Sequence, residues 1–216
     1  MGKLEGKNAI VTGGGRGVGR AISLAFAQEG ANVVVNYAGN QKAADEVVGM
    51  IQAMGRKAVA VKGDVGQEED AKRIVDACVE NFGSIHILVN NAGISKPAML
   101  HKLTVDVWDE VVNVQMRGPW LMIKAASKYF MEQKYGRIVN VTSVAGMVGT
   151  IGQINYAAAK GGVVTLTKSA ARELAKFNVT ANVISLGIVT TEMTMTLQTD
   201  DKLKEIYVRR ILLNRY

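Results

Sequence analysis

Two stretches of the chain hold the residue types that could do chemistry. In YAAAK, Tyr156 and Lys160 stand four residues apart, so on a helix their side chains share one face. An ammonium beside a phenol favours the phenolate, which lowers the tyrosine pKa and lets it exchange a proton near neutral pH. On its own such a pair is common on helix surfaces, and it gains meaning from the second stretch. TGGGRGVG, Thr12 to Gly19, puts five glycines into eight positions just after the apolar run Ala9-Ile10-Val11. A tight turn there, opening into a helix near Arg16, places backbone N–H groups at a helix N-terminus and makes an anion site. Glycine is needed because a Cβ would block both a positive-φ turn and the approach of a pyrophosphate to the backbone. Strand, glycine loop and helix in that order read as a dinucleotide fingerprint.

The elements that must hold these residues follow from periodicity. NAIVT, ANVVVNY, KAVAVK, IHILVNN, GRIVNVTS and VTANVIS are six short β-branched runs. Between them lie stretches of helical period: Arg16 to Glu29, Gln41 to Met54, Glu68 to Phe82, Thr104 to Gln133 with a break near Pro119, and Ile154 to Lys176. Strand and helix alternating in this way impose right-handed crossovers and a parallel sheet with helices on both faces. The near-continuous Val/Ile runs suit strands covered on both sides. The expected fold is α/β: a Rossmann-like, doubly wound parallel sheet in a three-layer single domain over residues 1–216. After VTANVIS the pattern decays into Thr, Met and Gln, which reads as a loop or lid followed by a short helix from Asp200 to Arg209.

A length of 216 residues suits one large domain with a sizeable core. The chain is 48% hydrophobic and 21% charged, with no apolar run near the ~18 residues of a membrane span. The stretch from Met1 to Lys7 lacks the apolar core of a secretion signal, so a cytoplasmic protein is expected. The single cysteine, Cys78, falls on the apolar stripe Ile74, Val75, Cys78, Val79 and Phe82 and reads as core. With only His86 and His101, far apart and without cysteine partners, no metal site is expected. The formal charge of +7 is spread thinly, which argues against nucleic acid and leaves room for a phosphorylated or acidic ligand.

With its T-G-x-x-x-G-x-G spacing (Thr12, Gly13, Gly17, Gly19) the loop resembles that of the short-chain dehydrogenase/reductases. The resemblance continues through NNAG, Asn90 to Gly93, then Ser143 at the end of the fifth strand and YAAAK, and so spans nearly the whole chain. It implies a nicotinamide cofactor on Thr12, Gly13, Gly15, Arg16, Gly17, Val18 and Gly19, with Asp64 and Val65 along the adenine. Asn91, Ala92 and Gly93 would line the ribose and nicotinamide, and Val189 and Thr191 the carboxamide and phosphate. Ser143 would donate a hydrogen bond to the substrate oxygen as charge develops, Tyr156 would give the proton, and Lys160 would tune Tyr156 and bond the nicotinamide ribose. The second strand ends at Asn36-Tyr37, where an NAD enzyme carries a carboxylate for the ribose hydroxyls. That missing carboxylate, with the phosphate-suited guanidinium of Arg16, favours NADP(H) over NAD(H).

The departures from the family pattern are specific. In VVNVQMRGPW, Gln115 stands three before Gly118, the register of the family's catalytic asparagine, while Asn113 is two positions early. Gln115 is the expected replacement. Leu186-Gly187 stands where Pro-Gly is usual, which frees a φ angle, and His86 replaces a carboxylate ahead of the fourth strand and reads as structural. The family's last helix and seventh strand, roughly 30 residues, have no counterpart, so a bare sheet edge is expected. Among the family's branches the chain looks most like the one that reduces 3-oxoacyl groups on acyl carrier protein in fatty acid biosynthesis. Lys134 matches a basic carrier-docking position there, and Phe177 occupies the second such position. The resemblance also implies a homodimer or homotetramer through the long helices. The alternatives are a dehydrogenase of another small alcohol, sugar or steroid, or a cofactor-binding subunit with weak turnover.

Overall fold

The β-branched runs are extended and the periodic stretches helical in the computed structural model, which describes residues 2–215, with the backbone alone at 197 and 198. Met1 and Tyr216, the ends of the expected domain, lie outside the described residues. The strands are β1 (Asn8–Val11), β2 (Asn32–Tyr37), β3 (Ala58–Lys62), β4 (Ile87–Asn90), β5 (Gly136–Ser143) and β6 (Val179–Leu186). All pair in parallel, in the order β3-β2-β1-β4-β5-β6.

Alternating residues on each strand face opposite ways, and two apolar clusters show that both faces are covered. Ala9, Val11, Val33 and Val35 pack with Val47 and Ile51 of α2 (Gln41–Ala53) and Ala27 of α1 (Gly17–Gln28). Ile10, Val34 and Leu88 pack the other way, against α3 (Glu68–Phe82) through Ile74 and Val75. Beyond α4 (Val105–Val112), Leu121 and Phe130 of α5 (Gly118–Glu132) join that second cluster. The three-layer expectation thus has a packing basis. Edge strand β6 departs from it, because Thr180, Asn182 and Ile184 on one of its faces are exposed.

The stretch from Thr104 to Gln133, expected as helix with a break near Pro119, is interrupted earlier, by a wide π turn at Asn113–Arg117. Pro119 sits in the first turn of α5, where its missing N–H breaks no internal hydrogen bond. The extra residue in a π turn shifts the helical register, and here Gln115 ends up 1% exposed. A short helix that periodicity did not indicate, α6 (Ala145–Val148), follows β5; the long α7 (Ile154–Leu174) comes next. The end segment is more helical than expected, with α8 (Met195–Thr199) ahead of α9 (Asp201–Val208).

Candidate active site

Strand order reverses between β1 and β4, so the loops leaving those two strands frame a crevice at the carboxyl end of the sheet. Thr12 ties the two loops together. Its Oγ1 donates to Val89 O at 3.2 Å and accepts from the backbone N–H groups of Asn91 and Ala92 at 2.9 and 3.0 Å. Asn91 answers with its side-chain amide on Thr12 O at 3.0 Å.

Two glycines show what the loop requires. Gly13 has φ +62°, and a Cβ there would sit 3.0 Å from Ala92 Cα. At Gly19 a Cβ would come within 2.1 Å of Gly13 O, so α1 can pass under the loop only without a side chain at that position. Part of the glycine requirement therefore comes from packing of the chain on itself. No side chain caps the start of α1, whose N-cap is Arg16. Those first N–H groups are free to meet an anion, as a dinucleotide pyrophosphate demands. The site fits such a cofactor on chemical grounds.

The other expected cofactor residues are placed unevenly. Asn36 is 1% exposed, and its amide accepts from Gly13 N at 3.2 Å and donates to Val61 O and Gly63 O at 3.2 and 3.0 Å. Asn36, counted among the expected cofactor residues, has its side-chain polar atoms spent on holding the glycine loop. Val65 is likewise turned into the core, leaving only backbone for an adenine. Asp64 is exposed, with Oδ1 accepting from Gly66 N at 2.9 Å. On the far side of the crevice Thr191 comes next to Gly17, where a Cβ would lie 3.5 Å from Thr191 Cγ2; Val189 is 40% exposed nearby in sequence.

Ser143 ends β5, and Tyr156 and Lys160 project from the first turns of α7. Small residues allow this convergence, since a Cβ on Gly146 would lie 2.6 Å from Lys160 C. Lys160 is 5% exposed; its Nζ donates to Val141 O at 2.8 Å and stands 5.7 Å from the centre of the Tyr156 ring. Burial pushes the Lys160 pKa down to about 8. It also pushes Tyr156 above the usual phenol range, with a hydrogen bond from Ser143 pulling the other way. This corrects the expectation of a lowered tyrosine: desolvation of the phenolate outweighs the hydrogen bond from Ser143. The pair is thus set as a neutral phenol beside an amine that is still mostly protonated at neutral pH.

Gln115 reaches the same crevice. Its Nε2 donates to Ile94 O at 2.6 Å, and its Oε1 is buried without a hydrogen-bond partner in the protein. Asn113 is only partly buried. The amide lies against Gly93, where a Cβ would fall 2.7 Å from Nε2 and 2.8 Å from Oε1. Gly93→Ala should therefore lower stability by about 2 kcal/mol through overpacking against the buried end of the Gln115 side chain. The urea midpoint reads this, and an unchanged midpoint would mean that Gln115 moves freely.

Lys134 and His86 lie at the opposite end of the sheet. Lys134 stands just before β5 and Ser143 closes that strand, which puts them on the order of 20 Å apart. His86 Nδ1 accepts from Asn8 N at 3.0 Å, its ring meets Tyr135 edge-on, and burial lowers its pKa. Among the described residues no group of His, Cys, Asp and Glu could hold a metal ion, and no helix is long and apolar enough to cross a membrane.

Comparison with known proteins agrees with this geometry. A family model described as short chain dehydrogenase matches residues 7–202. The 3-oxoacyl-[acyl-carrier-protein] reductases of Synechocystis sp. and Staphylococcus aureus strain Mu50 are each 42% identical over 210 residues, which is 97% of this chain and 85% of theirs. A crystal structure of a short chain dehydrogenase from Mycobacterium avium has TM-score 0.83 and 39% identity, covering 86% of this chain and 69% of that one.

Proposed function

The chain belongs to the short-chain dehydrogenase family, and on that premise we propose that it is an NADP(H)-dependent reductase of 3-oxoacyl thioesters. The observation that carries the reading is the meeting of Ser143, Tyr156 and Lys160 beside an uncapped α1 and its glycine loop. A bound nicotinamide dinucleotide supplies the hydride. Thr12, Gly13, Gly15, Arg16, Gly17, Val18 and Gly19 hold its phosphates and ribose, with Asp64, Val65, Asn91, Ala92, Gly93, Val189 and Thr191 around the rest. The Ser143 hydroxyl donates to the substrate carbonyl oxygen as negative charge grows there. Tyr156, a phenol at neutral pH, gives that oxygen its proton. Lys160 steadies the charge that passes through Tyr156, and Gln115 keeps the crevice wall at Gly93 and Ile94 in register.

Cofactor choice rests on charge. β2 ends without a carboxylate, and Arg16 offers a guanidinium at the mouth of the loop. An acidic acyl carrier protein suits the +7 chain and Lys134. Its substrate arm must then span the depth of the sheet, or Lys134 must serve the crevice of a neighbouring copy in a homodimer or homotetramer. The cytoplasm is the expected compartment.

The test is oxidation of NADPH and of NADH, in parallel, by a β-ketoacyl thioester. Turnover that prefers NADPH is the expected result. Reduction of a small ketone, sugar or steroid with no turnover of the thioester would replace the substrate assignment, and cofactor binding without any turnover would favour a cofactor-holding subunit.

A further inference from the structure

Arg16, assigned above to the 2′-phosphate, is already engaged within the protein. Its Nη1 lies 3.6 Å from Oε2 of Glu192, in the segment that follows β6. Among the described residues this is the one ion pair that Arg16 makes. Both side chains are largely in water, at 68% and 70% exposure, so neither is locked in place by packing. The backbone beneath is more defined. Thr191 and Thr194 form a reciprocal cap on the turn that carries Glu192, and Thr194 Oγ1 donates to Val189 O at 2.7 Å. The Thr191 methyl sits against Gly17, the glycine that follows Arg16. Glu192 is thus presented to the loop from a structured turn.

We propose that Glu192 is a cofactor-selecting residue that competes with the 2′-phosphate for the Arg16 guanidinium. A guanidinium binds one oxyanion group well at a time, through its planar fork of donors. A phosphate monoester, carrying about −1.5 to −2 charges near neutral pH, outbids a single carboxylate. It must still displace Glu192 and accept that charge as a neighbour. NAD(H) carries only a neutral 2′-hydroxyl at that position and places no charge on Arg16, so the competition acts on the phosphorylated cofactor alone. Glu192 therefore holds discrimination below what Arg16 could give. The inference rests on the reading of Arg16 as the 2′-phosphate residue.

Binding, without turnover, tests it. Dissociation constants are measured by calorimetry at low ionic strength for NADP+, NAD+, adenosine 2′,5′-bisphosphate and AMP, on the wild type, Glu192→Gln, Arg16→Ala and the double variant. Because exposed ion pairs are weak, Glu192→Gln should tighten NADP+ and adenosine 2′,5′-bisphosphate by about 3–5-fold, with NAD+ and AMP unchanged. The gain should vanish in the Arg16→Ala background and shrink as salt is raised. Equal tightening of NAD+ and AMP, or a gain that survives loss of Arg16, would overturn the proposal in favour of a general charge effect. If Arg16→Ala weakens NADP+ no more than NAD+, the phosphate assignment of Arg16 itself falls and the role of Glu192 with it. If Arg16→Ala selectively weakens NADP+ while Glu192→Gln changes nothing, the role of Glu192 alone is refuted.

Discussion

A Lys160→Met variant should lose at least ~100-fold in the rate of carbonyl reduction and yet melt at a higher temperature than the wild type at neutral pH. The two effects have one origin. Lys160 is 5% exposed and burial brings its pKa from 10.5 down to about 8. At neutral pH the folded chain holds a charged amine where water would hold it far better, at a cost of about 3 kcal/mol by the size of that shift. Methionine fills a similar volume without charge. It loses a charge-assisted hydrogen bond to Val141 O, worth about 2 kcal/mol, so a net gain of about 1 kcal/mol remains. In a chain of this length that raises the melting temperature by roughly 2–4 °C. A variant that melts lower would show that the amine is better solvated than its burial indicates.

The same shift sets a pH signature. Between pH 8 and 10.5 the unfolded chain keeps a proton on Lys160 that the folded chain has released. Unfolding therefore takes up a proton, and wild-type stability gains from Lys160 as pH rises through that window. The contribution is absent in Lys160→Met, so the stability difference between the two proteins should narrow from pH 8 upward. Stability is thus given up at neutral pH to keep an ammonium beside Tyr156.

Local pattern carried most of the architecture. Alternating Val33, Val34 and Val35 already required a strand buried on both faces, and the glycines from Gly13 to Gly19 required a turn that opens into a helix. What local pattern could not reveal came from contacts made by distant parts of the chain. VVNVQMRG has an unbroken helical period, and the π turn shows only once Gln115 packs against Gly93 and Ile94. Nothing in the strand around Asn36 announces that Gly13 N, Val61 O and Gly63 O converge on its side chain. The direction of the Tyr156 shift lies beyond local pattern for a related reason: spacing along a helix gives the neighbouring charge, whereas burial depends on the whole fold. Arg16 and Glu192, on opposite sides of the crevice, share no local pattern at all.

Tyr156→Phe keeps the ring and its packing while removing the proton that reduction requires, and should lower the reduction rate by about 10²–10⁴-fold. Binding of NADP+ should change little and the fold should be retained, because the ring stays in place and Ser143 Oγ still accepts from Ala145 N at 3.2 Å. Burial raises the Tyr156 pKa, which makes the two directions of the reaction respond differently to pH. Reduction draws on the phenol, already the dominant form at neutral pH, so its rate should be nearly flat from mildly acidic to neutral conditions. Alcohol oxidation draws on the phenolate, a minor form there, so its rate should rise about tenfold per pH unit over the same range, as expected for a base far below its pKa. Steady-state rates in both directions across pH measure this. If oxidation is as flat as reduction, the proton acceptor is a group other than Tyr156; if Tyr156→Phe keeps wild-type reduction, the proton donor is as well. On the proposed mechanism the raised pKa favours carbonyl reduction at neutral pH, the direction in which a buried tyrosine starts with its proton in place.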